Sequence, residues 1–452
     1  MAEKQNIIVI GGNAAGPAAA AKAKRTAPNS SVILFEAGEH ISTGTCELPY
    51  VLGGEIDNFN NIIFFTPQTF RMNKGVEVYT SHFVEQIDRR RKKVIVTNRI
   101  DGNESTFGYD KLILTTGSKT KSIPLYKNHK NLFQLKSVSD FIKIRTFLDD
   151  NNVNRVLIVG AGYIGLETAE AFIKLGMEVI IVEKTDLPMP GYDDAVRSLI
   201  LGELERNNVQ FFGGVEELKF NTNNDNIINI NINGRSIEFD LVLSAIGVEP
   251  NNTLALGANL EIGNEGGIKT DKKQQTSDQS IFAAGDNVEV INRITNRPDY
   301  MPIATLAKKQ GHVAGANAAG GNEFFDSVVK NIAVKIFDKV FVHVGLTSNE
   351  AVRHQFNFNS VFEVADNLVQ VMPESRKVFG KILIDKKSKF ILGASFIGQS
   401  EVIGFGDIIA SYVYHKIEAH KLAEINYNYT PPFSPFVNLL SVLGRKIKKE
   451  FR

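Results

Sequence analysis

The chain has 452 residues, 43% of them hydrophobic and 22% charged, with a formal net charge of +1. That length suggests two to four domains with ample cores, and the near-neutral charge gives no electrostatic case for nucleic acid or an anionic membrane as the main partner. A single cysteine, Cys46, excludes an intrachain disulfide and cysteine–zinc clusters. With no secretory pattern at the N-terminus and no apolar run of bilayer length, a cytoplasmic chain without membrane or metal is expected.

The first element is a βαβ unit, NIIVIGGNAAGPAAAAKAK followed by SVILFEAGE. It reads as a buried strand, a glycine turn, an Ala-rich helix and a second strand that ends in an acid. Gly11, Gly12 and Gly16 form the turn, Ala15 opens the helix and Glu36 supplies the acid, but Asn13 holds the middle glycine position of the strict pattern. Lys22 and Arg25 share one face of the helix at i, i+3 spacing. Next comes STGTCELPYVLGG, residues 42–54. ELPYVL reads as a short helix with a glycine stop, and Pro49 is tolerable only in its first turn. That places Cys46 at a helix N-terminus, where the dipole lowers a thiol's pKa, while the charge of Glu47 opposes the effect. Taken alone, Cys46 fits either an inert core residue or a redox centre.

VEVYT, KKVIVT and YDKLILTTG follow as short strands. The second βαβ unit is RVLIVGAGYIGLETAEAFIKLG with EVIIVEK. Here Gly160, Gly162 and Gly165 complete a G-x-G-x-x-G, and Glu183 follows 23 residues after Gly160. The turn needs Gly160, the approach of a pyrophosphate needs Gly162, and Gly165 lets helix pack on strand. Free N–H groups at the helix start suit phosphates, and the carboxylate suits both ribose hydroxyls. Glu183 would repel a 2′-phosphate, which favours NADH. VQFFGG, IINININ and DLVLSAIG then read as strands, and the Asn-rich stretch as a hairpin. TSDQSIFAAGDNVEV is a strand whose end puts Asp286 beside a polyol such as the ribityl of a flavin. From about residue 322 the pattern suggests an antiparallel sheet and a helix, with the terminal GRKIKKEFR as a solvated tail. His420 reads as a helix-end residue.

GGNAAG with Glu36, LILTTGS (112–118), GAGYIGLETAEAF and IFAAGD occur in the order and at the spacings of the pyridine nucleotide-disulfide oxidoreductases, which this chain resembles over nearly its whole length. The resemblance implies an α/β fold with two Rossmann-like domains, FAD in the first (1–118 and 241–321) and NAD(P)H in the second (119–240). A C-terminal α+β interface domain (322–452) would form a homodimer. Thr116, Gly117, Gly247, Tyr163, Ile164 and Glu167 join the expected cofactor contacts, with Tyr163 as a movable gate and Glu167 near the nicotinamide. STGTCELPYVLGG and YNYTPPFSP (427–435) look like the family's single-cysteine branch, which contains coenzyme A-disulfide reductases, NADH oxidases, NADH peroxidases and persulfide reductases. The wider family pairs two cysteines, but Ser42 stands at the place of an upstream one. Cys46 then serves as the electron relay with a partner from outside: a small thiol, or oxygen in a sulfenate. Tyr429 matches a catalytic tyrosine that reaches the site from the partner subunit. Lys22, Arg25 and Lys74 match coenzyme A contacts, with Ser42 and Thr45 beside the sulfur. Val371 and Met372, where a second tyrosine is expected, and Asn438 in place of an acid depart from the coenzyme A pattern. The expected activity is reduction of a small disulfide or persulfide, most of all coenzyme A disulfide. The alternatives are an oxidase or peroxidase working through a cysteine sulfenate, and a flavoprotein that passes electrons to a protein acceptor with Cys46 idle.

Overall fold

A computed structural model describes residues 4–123, 129–223, 225–232 and 234–451. Two five-stranded sheets organise the nucleotide-binding units. The first runs Ile281–Ala283, Lys111–Leu114, Asn6–Ile10, Ser31–Phe35, Glu77–Tyr79. The second runs Leu132–Phe133, Leu241–Ser244, Arg155–Val159, Glu178–Val182, Gln210–Phe212. Every pairing in both is parallel. The central strands NIIVI and RVLIV are apolar and buried after their first residue because both faces are covered. Ile7 and Val9 pack on the helix Ala15–Thr26, whereas Ile8 and Ile10 pack on the antiparallel strands His82–Asp88 and Lys93–Asn98. In the second sheet Val156 and Ile158 face the helices, and Leu157 and Val159 face Phe220, Ile227 and Ile230. Each fully buried branched side chain contributes about 1.5–3 kcal/mol, so these two strands anchor their domains.

The chain crosses between the sheets on a short antiparallel pair, Ser118–Thr120 with Val248–Pro250. The expected return to the first domain at residue 241 is therefore too early. Leu241–Ser244 pairs with Arg155–Val159, and the crossing follows it. The Asn-rich stretch forms three antiparallel strands rather than a hairpin: Phe220–Asn223, Asn226–Ile232 and Arg235–Glu238.

The C-terminal part is a five-stranded antiparallel sheet, Asn331–Ile336, Lys339–Gly345, Ile391–Gly398, Lys377–Asp385, Phe358–Asp366. The helices Glu401–His415 and Leu439–Glu450 cover it. The basic end is thus not a loose tail. Leu439, Leu440, Leu443 and Ile447 form a buried stripe, and Lys446 pairs with Glu363 at 2.8 Å.

All three parts meet at Glu170, which is buried in the helix Tyr163–Lys174. Its carboxylate takes Lys174 (2.8 Å), Lys335 and the Phe337 N–H (2.8 Å), the last two from the C-terminal sheet region. Lys174 also reaches Glu55, just past the cysteine turn, at 2.6 Å. Burial works against the charge of Glu170, but hydrogen bonds from Lys174 and Lys335 and their charges hold its carboxyl below the usual range.

Candidate active site

The two glycine turns are built on the same plan. Gly11 and Gly160 lie at φ +111° and +102°, where a Cβ would stand 2.1 Å from the Thr115 carbonyl oxygen and 2.6 Å from that of Ala245. Gly16 and Gly165 sit so close to the turn that a Cβ would fall 1.8 Å from the Gly11 oxygen and 2.1 Å from the Gly160 oxygen. In the first unit the Gly12 N–H donates to Glu36 at 2.6 Å, and in the second the Ala161 N–H donates to Glu183 at 2.8 Å. A second backbone donor fixes each acid: Gly38 to Glu36 at 2.7 Å, and Thr185 to Glu183 at 3.2 Å. Burial pushes the Glu36 carboxyl up, while the Gly38 and Gly12 N–H groups and Arg99 pull it back.

The units differ at one position. Gly162 caps its helix with open space where a side chain would be. Asn13, at the equivalent place, instead accepts hydrogen bonds from Thr43 through its backbone N–H (3.2 Å) and hydroxyl (2.7 Å). The Ser42 N–H donates to the Gly12 carbonyl at 2.8 Å, and Ser42 takes a positive φ of 51° to do so. The irregular glycine pattern is thus a tether: it holds the strand Ile41–Thr43, and with it the cysteine, against the first nucleotide turn. Sequence reading registered Asn13 only as a missing glycine.

Around the first turn, Thr116 donates to the Asn251 carbonyl (2.6 Å) and accepts from Asn287 (3.1 Å), while Gly117 and Gly247 turn at φ +67° and +95°. Ala15 begins the first helix beneath Gly285. Asp286 accepts from the Ser118 hydroxyl at 3.1 Å, and Lys136 donates to the same hydroxyl at 2.8 Å. Lys136 was not singled out from sequence, because only the fold brings it to Asp286.

Cys46 lies in a 3-10 turn, Thr45–Glu47, that leads into the helix Leu48–Leu52. The helix has five residues, with Pro49 in its first turn and Gly54 at φ +77° after it. The expected dipole effect does not win. Although Cys46 is exposed as a residue, the atoms around its sulfur push the thiol up by desolvation; Glu47, Glu167 and Asp286 add to this, and only Lys136 opposes. Replacing Glu47 with alanine should therefore increase the labelling rate of Cys46 by iodoacetamide near pH 7.5, by roughly threefold on the thiolate argument. With one cysteine in the chain, all labelling reports this sulfur, and an unchanged rate would remove Glu47 from the account.

Behind the sulfur, the Tyr50 hydroxyl donates to Glu167 at 3.1 Å and Lys335 stands over the Tyr50 ring at 6.0 Å. Burial pushes the Glu167 carboxyl up to about 7, against the Tyr50 hydrogen bond. The folded state then holds this proton more tightly than the unfolded chain, so stability falls as pH rises from about 4.5 to about 7 and levels off above. Glu167→Gln should gain stability over the native protein across that window, on the order of 2 kcal/mol by pH 8, and match it near pH 4.5. Chemical unfolding at both pH values checks the sign. Tyr163, the first residue of the same helix, hydrogen-bonds through its hydroxyl to Tyr192. Ile164 lends its carbonyl to Thr168 at 2.6 Å.

The proposed substrate cations are less uniform. Lys22 is committed to Glu323 at 2.6 Å, Arg25 is exposed in the last turn of its helix, and Lys74 lies 5.4 Å over the Phe65 ring. Tyr429 packs edge-on against Phe436 at 5.3 Å in an exposed apolar segment in which Phe433 and Phe436 are 80% and 77% accessible.

The two turns fit dinucleotides: each offers a glycine cradle that a Cβ would fill, a helix start and a backbone-fixed acid. The family model for pyridine nucleotide-disulphide oxidoreductase matches residues 5–311, and the chain belongs to that family. It is accordingly an FAD-dependent NAD(P)H oxidoreductase. It is 30% identical to the NAD(P)H sulfur oxidoreductase (CoA-dependent) of Pyrococcus abyssi, over 98% of each chain. It is 28% identical to the coenzyme A disulfide reductase of Staphylococcus aureus, over 98% of this chain and 99% of that one. Among solved structures, reduced Bacillus anthracis CoADR-RHD superposes with a TM-score of 0.94 at 27% identity, covering 99% of this chain and 80% of the other. The NAD-dependent persulfide reductase from A. fulgidus gives 0.93 at 29% identity, covering 98% and 83%. Among the described residues no helix is long and apolar enough to cross a membrane.

Proposed function

We propose that this enzyme spends NAD(P)H on a small-molecule disulfide or persulfide at Cys46, with coenzyme A disulfide as the favoured substrate. One observation carries the reading: a single sulfur, tied to the first nucleotide turn through Asn13 and Gly12 and backed onto the second nucleotide helix through Tyr50 and Glu167. With no second thiol in the chain, the other half of the redox pair is external. Bound FAD supplies two-electron transfer between nicotinamide and sulfur.

The residues do the rest. The Cys46 thiolate attacks one sulfur of the substrate; a mixed disulfide forms and one thiolate leaves. Two electrons delivered to Cys46 would then cleave that bond, releasing the second thiolate, which takes a proton from water, and restoring the Cys46 thiolate. Lys136 favours the thiolate at the sulfur. In a homodimer formed through the exposed segment around Tyr429, the partner's hydroxyl would donate to it. Arg25 and Lys74 would meet the substrate's phosphates, with Lys22 after release from Glu323, and Ser42 and Thr45 would flank the reacting sulfur. The Glu183 carboxylate disfavours a 2′-phosphate, so NADH is the preferred donor. The names of the relatives in Pyrococcus and Staphylococcus support the substrate class.

A second reading has Cys46 cycle through a sulfenate as an oxidase or peroxidase. A relative in Methanocaldococcus jannaschii, 28% identical, is named NADH oxidase. Intact mass before and after dithiothreitol separates the two. Loss of one coenzyme A from Cys46 supports the disulfide reading. A one-oxygen adduct overturns it in favour of the sulfenate, and a bare thiol throughout counts against both.

A further inference from the structure

We propose that Tyr192 is a positioning residue that holds the Tyr163 ring closed over the nicotinamide place, and that the C-terminal domain sets the strength of that hold. The inference rests on Tyr163 being the nicotinamide gate. Tyr163 begins the helix of the second glycine turn, whose free N–H groups suit a phosphate, and its ring is partly exposed. Its hydroxyl does not point into solvent but pairs with that of Tyr192. Tyr192 is 8% accessible and has little room to follow a moving partner.

What fixes Tyr192 comes from the third domain. Its ring lies edge-on between Phe341 (5.1 Å) and His343 (4.9 Å), both on the strand Lys339–Gly345. His343 is itself locked, with one ring nitrogen on the Ser395 hydroxyl at 2.9 Å and the other on the Gly345 carbonyl at 3.1 Å. The next residue, Asp193, pairs with Lys381 of the same sheet at 3.1 Å, and both side chains are largely buried. On the near side, the Met189 N–H donates to the Ala161 carbonyl at 2.9 Å, so the segment that carries Tyr192 is stitched to the nucleotide turn as well. A gate hydroxyl is therefore held by a residue with no freedom of its own, and any swing of the Tyr163 ring must first break that pair.

A gate held shut lowers apparent nucleotide affinity by the fraction of time it is open. One hydrogen bond of this kind shifts such an equilibrium by roughly three- to tenfold. Tyr192→Phe keeps the ring packed between Phe341 and His343 and removes only the hydroxyl. In the flavin-loaded enzyme it should lower the KM for NADH by roughly three- to tenfold and leave both the flavin content and the KM for the disulfide unchanged. Lys381→Met, which loosens the segment from the third domain, should move the KM for NADH in the same direction. A KM for NADH in Tyr192→Phe that is unchanged or raised overturns the proposal. Tyr163→Ala tests the underlying reading separately. If that variant leaves nucleotide binding untouched, the gate itself is wrong; if it alters binding while Tyr192→Phe does not, only the latch is wrong.

Discussion

Cys46→Ser should lose NAD(P)H-dependent turnover of coenzyme A disulfide by at least about a thousandfold, the scale on which loss of a covalent nucleophile is felt. The same variant should still be reduced by NADH, because neither glycine turn touches the sulfur's chemistry. Stopped-flow bleaching of the flavin absorbance, followed beside steady-state disulfide reduction, reads both halves. The fold should survive, since serine is nearly isosteric and Cys46 is exposed. Two results would sink the proposed relay: retained disulfide turnover, or retained reduction of a protein acceptor at the native rate, which would leave the sulfur idle.

The second large effect is structural. Gly11→Ala forces a Cβ to within 2.1 Å of the Thr115 carbonyl at a φ of +111°. Backbone strain of that sort costs about 1–3 kcal/mol, and overpacking adds a similar amount. The Thr115 carbonyl cannot retreat freely, because the Thr115 N–H and hydroxyl are both bonded to Ile10 across the sheet. The variant should purify without flavin or fail to fold. Gly162→Ala is the contrast: an added Cβ there meets nothing within 4 Å. It should fold and bind flavin normally and weaken only the nicotinamide nucleotide. Equal flavin content in both variants would show that the turn geometry has been misread.

Both nucleotide units were legible because each announces itself locally. A run of apolar residues, a glycine turn and an acid lie within one short stretch, and Glu36 and Glu183 do close their turns. The return crossing was misplaced because DLVLS has the pattern of a buried strand in either sheet, and only pairing shows that Leu241–Ser244 belongs to the second. The last helix hid behind its charges: GRKIKKEFR reads as solvated until Leu439, Leu440, Leu443 and Ile447 are seen on one stripe. The site contacts that escaped reading join distant parts of the chain. Tyr50 meets Glu167 across 117 positions, and Asn13 meets Thr43 across 30. Nothing in either segment alone marks such a pairing. The dipole argument for Cys46 failed for a related reason. It weighed a local helix against Glu47, whereas burial of the sulfur dominates and the carboxylates of Glu167 and Asp286 reach it from elsewhere.

The knot at Glu170 decides how this molecule can breathe. A carboxylate sealed between two lysines and a backbone N–H from another domain is not easily pulled apart. Swinging the second domain away from the C-terminal sheet would break the bonds of Glu170 to Lys335 and to the Phe337 N–H. Rotation of a single side chain, by contrast, leaves that junction whole.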